Sequence, residues 1–209
     1  MKLFYSDVVN AAFRYVINTS NKHAIDESHA IKHSMDVFHY ANKIIKAEFP
    51  NNRFLEQQTD IISVSAIVHD MCDKKYVNEN AGIIEMDNFM KDYMNLPQRE
   101  MVSNIVHTMS YSKVKTNGYP NLGAYQLAYH IVREADLLSA YDIERSIIYG
   151  MMKQQLSYTD ALQRALELFE HRVLKYRSDN LFVTDYSKYE SLLLHNKCLS
   201  DIEDLVKHN

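Results

Sequence analysis

His69 and Asp70 stand side by side at the end of a long apolar run, residues 61–68. An imidazole and an ionisable carboxylate at the end of a buried element are costly unless paired or metal-bound. Adjacent helical residues point about 100° apart, so both reach one ion only if it lies at their shared edge. A solvated helix end is the competing explanation of the dipeptide. His33 lies on the apolar face of another segment, four residues before Val37 and eight before Ala41. A hydrogen-bonded core histidine would look the same. Asp136 sits between Ala135 and Leu137 in a third apolar segment. A buried Asp needs a partner, and Arg133 is the candidate for a purely structural one. Taken together, the positions offer two imidazoles and two carboxylates. Such a set suits a divalent metal, Mn²⁺ first, with Co²⁺, Ni²⁺, Fe²⁺, Zn²⁺ or Mg²⁺ as alternatives, and leaves coordination positions for water and phosphate.

The order His, then His-Asp, then Asp, carried on helices, resembles the HD phosphohydrolase superfamily. The stretch His29-Ala30-Ile31-Lys32-His33-Ser34-Met35-Asp36-Val37 looks like the family's first-ligand helix, and Val68-His69-Asp70-Met71-Cys72-Asp73 looks like its second. Glu134-Ala135-Asp136-Leu137-Leu138-Ser139-Ala140 is similar to the Asp-Ala-Asp-Arg-Leu-Asp-Ala of one branch, which includes bacterial nucleoside-triphosphate pyrophosphohydrolases. Met109-Ser110-Tyr111-Ser112, Arg145 and Tyr149-Gly150 also resemble that branch. Leu137 and Ser139 stand where the branch has its Arg and second Asp, and a few residues are missing after Ala140. The likeness spans roughly residues 25–150. It implies an all-α HD-type domain, the metal ligands His33, His69, Asp70 and Asp136, and a phosphorylated small molecule, a nucleotide, as substrate.

Asp73 follows His69 by four residues and shares its face if the helix continues. HD relatives that cleave nucleotides have a Glu at this offset, so the resemblance gives Asp73, with Asp70, a catalytic part: positioning water or acting as general acid. A solvated Asp paired with Lys74 or Lys75 is the alternative. For phosphate, the lysines rank Lys74, then Lys113, then Lys75 and Lys115. His29, one turn before His33, and Arg133 complete the substrate-binding candidates. His107 is an extra ligand only if two metals bind.

Elements that position these residues are predicted to be helical. The sequence has 209 residues with only 4 Gly and 3 Pro, which disfavours folds that turn often. Helices are expected over residues 3–17, 28–48, 54–70, 81–94, 98–109 and 124–150, the last broken near 139–141. The run 61–68 is β-branched enough to read as a buried strand, but its length and surroundings favour helix. Residues 18–28 and 110–123 read as loops, and 177–185 as a linker. Ser157 and Ser187 begin two capping boxes. The expectation is eight or nine helices. Residues 1–150 form the HD core, and C-terminal helices over 151–209 complete or cover it.

Composition narrows the function further. Hydrophobic residues make up 46%, and 15 Tyr and 8 Phe compensate for the absence of Trp. A net charge of −4 gives no bulk attraction to nucleic acid. Cys72 and Cys198 are too far apart in sequence for a zinc pair and do not suggest a disulfide scaffold. No run of about 18 apolar residues appears, and Asp7 and Arg14 interrupt any leader-like pattern. A cytoplasmic enzyme is expected, with a homodimer open. The alternatives are a two-iron oxygenase on the same frame, which needs more ligands than the sequence offers, and a degenerate HD module that binds a nucleotide or partner without cutting it.

Overall fold

The computed structural model describes residues 6–207. Ten α-helices fill it, with no strand among the described residues. They are α1 Asp7–His23, α2 Ile31–Glu48, α3 Leu55–Val68, α4 Glu79–Met90, α5 Leu96–Thr108, α6 Tyr111–Asn117, α7 Gln126–Ser139, α8 Ile143–Gln154, α9 Tyr158–His171 and α10 Asp185–Lys207. Short 3₁₀ turns occupy Gly123–Tyr125 and Val173–Lys175. The all-α expectation holds, with ten helices rather than eight or nine. No described helix is long and apolar enough to cross a membrane.

The middle of the fold is α3. Every residue from Ile61 to Val68 is buried, so this helix is apolar all round rather than striped, as a central helix must be. It packs against α1, α2, α5 and α7, and α2 also packs on α7. Burial overrides the weak helix propensity of its β-branched residues, and the strand alternative is discarded.

Three expectations about boundaries are corrected. Residues 18–23 belong to α1, which ends at Ala24 in the left-handed region; Leu3 to Tyr5 of the expected first helix lie outside the described residues. The expected loop at 110–123 contains α6. The last helix begins before Ser187: the Thr184 hydroxyl accepts the Ser187 N–H at 3.3 Å, so the cap is Thr184. The Ser157 box forms as expected, its hydroxyl accepting the Asp160 N–H at 3.2 Å.

The C-terminal third lies on the core. Helix α9 packs on α8, and α10 on α7 and α2. A Cβ on Gly150 would lie 2.9 Å from the Ala161 Cβ, so glycine is what lets α8 and α9 approach this closely. That approach matters because α9 leads into Arg172 and Tyr176.

Candidate metal centre

His33, His69, Asp70 and Asp136 come from three places: the first turn of α2, the end of α3 and the last turn of α7. The structure brings all four together. The two Nε2 atoms are 3.1 Å apart. Asp70 Oδ2 lies 3.2 Å from His33 Nε2 and 3.3 Å from His69 Nε2. Asp136 Oδ1 lies 3.4 and 3.6 Å from the same atoms. Ligand atoms of His33, His69 and Asp136 fall within 4.8 Å of one another. Helix α3 stops at Val68, and tight turns follow: the Met71 N–H donates to the Val68 carbonyl at 2.9 Å, and the Asp73 N–H to the Asp70 carbonyl at 3.1 Å. The turns carry His69 and Asp70 out of the buried helix toward a common point.

Hydrogen bonds decide what these rings offer. His69 Nδ1 donates to the Ala66 carbonyl at 2.9 Å. A carbonyl only accepts, so in the neutral ring Nε2 presents a lone pair. Burial opposes charging of His69, but the Asp70 carboxylate and the contacts to Asp136 and Asp70 outweigh it and push its pKa up to about 10. Burial also works against ionising Asp70 and Asp136. For Asp70, the interactions with His69 and His29 prevail; for Asp136, those with His33 and His69 do. Both carboxyls are held well below the usual range. Asp70 Oδ2 is buried and lacks a properly aligned hydrogen-bond donor. Two imidazole nitrogens face two carboxylates, with an orphaned oxygen among them. Such a set calls for positive charge beside the carboxylates, which a proton on His69 supplies in the metal-free protein, and the donors also fit a divalent cation.

The surrounding pocket has a volume of about 220 Å³. Its wall includes His29, Asp73, Lys74, Lys75, Lys113, Arg145, Arg172 and Tyr176. Asp73 is there, but not by helical spacing, since α3 has already ended. Its Oδ1 accepts the Lys75 N–H at 2.9 Å, and its Oδ2 lies 3.2 Å from Lys75 Nζ. Burial pushes the His29 pKa down to about 4, against the pull of Asp70 and with help from Lys75 and Arg145. Ser28 and Tyr76 both donate to Asp26, so His29 Nδ1 donates to Ser28 Oγ at 2.6 Å. His29 Nε2 then accepts from Lys75 Nζ at 3.1 Å. Lys75 is thereby fixed at the pocket edge, its ammonium 5.4 Å from the centre of the Tyr149 ring.

The remaining cations sort by their partners. Lys74 reaches the wall. Lys113 also does, but its ammonium pairs with Glu79 and donates to the His107 carbonyl. Lys115 donates to the Tyr111 hydroxyl at 3.5 Å. His107 Nδ1 lies 3.3 Å from Glu79 and is outside the cluster. Arg133 is a correction: it is 2% exposed and turned away from the pocket. It pairs with Glu134 at 3.3 Å, donates to the Leu181 carbonyl and stacks 4.8 Å from the Tyr119 ring centre.

Arg172 and Tyr176 were not foreseen. Arg172 Nε donates to the Tyr176 hydroxyl at 3.1 Å, and its guanidinium stacks 4.3 Å from the Tyr111 ring centre. No local pattern marks them, because they reach the wall only through the α8–α9 packing. Arg145, marked only by resemblance, donates to the Ser28 carbonyl and lies 3.9 Å from Asp70 Oδ2. A neighbouring cavity of about 530 Å³ shares His29, Lys75, Arg145, Arg172 and Tyr176 with the pocket. A larger hollow, about 850 Å³, lies elsewhere, and Asp36, Asp142, Glu144, Asp201 and Asp204 outnumber Lys197 in its lining. Its sign is wrong for a phosphate, so the smaller, cation-rimmed pocket is the candidate site.

Neither a protein-family model nor a curated protein matches the chain. Among solved structures it is similar to a Lactobacillus plantarum protein determined by crystallography as a structural-genomics target, with a TM-score of 0.73 and 16% identity over 99% of this chain and 98% of that one. A likeness at that identity shows a shared fold alone. Fold and site thus define an all-α protein with two buried histidines and two half-buried aspartates clustered at a cation-rimmed pocket.

Proposed function

We propose that the protein is a metal-dependent phosphohydrolase of the HD type acting on a small phosphorylated molecule, a nucleotide by preference. One observation carries this reading: ligand atoms from α2, from α7 and from the turn after α3 converge, the buried, unsatisfied Asp70 Oδ2 among them. His33, His69, Asp70 and Asp136 would hold the cation, with Mn²⁺ the first choice. When bound, it would acidify water and screen phosphate charge.

The rest of the chemistry falls to the chain's own residues. Lys75, Arg145 and Arg172 receive the phosphate oxygens, each already oriented by protein contacts, so little side-chain freedom is lost on binding. Lys113 and Lys75 each share their charge with a carboxylate, Glu79 and Asp73. Asp73 sits on the same wall and takes the proton of the attacking water, or returns one to the leaving group. This local excess of cations lets a chain of net charge −4 accept an anion.

The test is metal analysis of the purified protein, followed by phosphate and pyrophosphate release from a nucleotide panel with Mn²⁺, Co²⁺ and Mg²⁺ compared. Stoichiometric metal and release from at least one nucleotide are expected. Metal without turnover of any phosphorylated compound would favour a binding module. Absence of metal uptake would sink the reading.

A further inference from the structure

Ser139 stands three residues after Asp136, at the end of α7, and is 8% exposed. Its hydroxyl donates to the Asp136 carbonyl at 2.8 Å. A serine has one hydroxyl proton, and a carbonyl oxygen can only accept it. Ser139 Oγ must therefore accept in its other contact, which is His33 Nδ1 at 3.4 Å. That contact places a proton on His33 Nδ1. In the neutral ring it leaves the Nε2 lone pair facing His69 Nε2, Asp70 and Asp136. The two imidazoles of the cluster are thus set by different supports. For His69 the support is the backbone carbonyl of Ala66, which no side-chain substitution removes. For His33 it is a side chain on the helix that also carries Asp136.

We infer that Ser139 is a positioning residue for the cation: it fixes the tautomer and orientation of His33 without itself being a ligand. The inference rests on the metal-binding reading of the cluster. Outer partners of this kind raise the basicity of a ligating imidazole and hold its ring, and losing one typically weakens metal binding about 10–100-fold. Because the same hydroxyl is tied to the Asp136 carbonyl, Ser139 also keeps two of the four ligands in register.

The test compares Ser139→Ala and Ser139→Thr with the parent by calorimetric titration with Mn²⁺. Long-range ¹⁵N–¹H spectra of the ring nitrogens are recorded alongside, in protein stripped of metal. Ser139→Ala is expected to lose about 10–100-fold in Mn²⁺ affinity and to populate the Nε2–H tautomer of His33. Ser139→Thr, which keeps the hydroxyl, is expected to bind within a few-fold of the parent and to keep Nδ1 protonated. Parental Mn²⁺ affinity in Ser139→Ala overturns the inference, as does an equal loss in both variants. A parent that takes up none of Mn²⁺, Co²⁺ and Mg²⁺ overturns the proposed function instead. The ring spectra then decide Ser139 alone, an unchanged His33 spectrum in Ser139→Ala counting against it.

Discussion

Helix α7 carries two carboxylates, the buried Glu134 and the half-buried Asp136, that end in opposite ways. Glu134 and Asp136 are two residues apart, so they point about 200° from each other around the helix. On one side Glu134 accepts the Val183 N–H at 2.7 Å, the Thr184 N–H at 3.2 Å and the Thr184 hydroxyl at 2.7 Å, with Arg133 beside it. Burial raises its carboxyl pKa, against the pull of those partners. Only Arg133 Nε lacks a hydrogen bond there. On the other side Asp136 meets Asp70 and two imidazole nitrogens, with an orphaned oxygen in their midst. The first cluster is closed by backbone and hydroxyl groups of its own chain, and it anchors the entry to α10. The second leaves Asp70 Oδ2 without a hydrogen-bond partner, which the proposed cation would supply. What separates a structural cluster from a candidate site is what the unsatisfied atom can bind: Arg133 Nε is a donor on a guanidinium already held by Glu134 and the Leu181 carbonyl, whereas Asp70 Oδ2 is an acceptor among other ligand atoms.

Breaking each side in turn should separate them. The largest effect is expected from Asp70→Ala: phosphate release is abolished, and metal affinity falls by more than the roughly 10–100-fold usual for an outer contact. Metal content by plasma spectrometry checks this, and retained metal would dissolve the distinction. Glu134→Ala should do the converse. Removing one partner of a buried pair costs about 3–5 kcal/mol of stability, read by denaturant unfolding, while the folded fraction binds metal like the parent.

Asp73→Asn keeps metal and fold and lowers the rate about 10²–10⁴-fold if Asp73 handles protons; a parental rate would return it to the role of a partner for Lys75. Lys75→Ala should have a smaller effect. One charge-assisted hydrogen bond is worth roughly 1.5–3 kcal/mol, so KM for a nucleotide should rise roughly tenfold or more with metal content unchanged.

The smallest differences are in pH dependence, and their signs oppose. Burial holds His130, near the closed cluster, down at about 4, with Arg133 adding to the shift. Unfolding releases it to the ordinary value near 6.5, so the unfolded chain binds more protons between those values. Stability should therefore fall as pH drops from about 6.5 to 4, and His130→Gln should flatten that slope. His69 is raised to about 10, so its contribution to the metal-stripped protein is complete below about 6.5 and lost as pH rises through 10. A proton on His69 Nε2 competes with a cation, so metal affinity should increase with pH over the same range. Affinity that is flat with pH would count against His69 as a ligand.

Much of this was legible in the sequence. Scarce Gly and Pro and the 3.6-residue periodicity determine an all-helical chain, because those features act locally. The four cluster residues were also legible, since a charged or imidazole side chain in an apolar run stands out against its neighbours. Arg133 and Asp136 carry that same signal equally. Only the arrival of residues 181–184 beside Glu134 shows that Arg133 belongs to the closed cluster. Asp73 reached the pocket although α3 ended before it, through turns that the helical spacing did not anticipate. Arg172 and Tyr176 needed the α8–α9 approach across Gly150. Lys75 and Lys113 each reach the wall already paired with a carboxylate, Asp73 and Glu79, and only Lys75 is also held by His29. Periodicity and composition are properties of neighbours in sequence. Which polar atoms are satisfied, and which are left for a ligand, depends on segments separated by tens of residues, and so only the tertiary structure decided it.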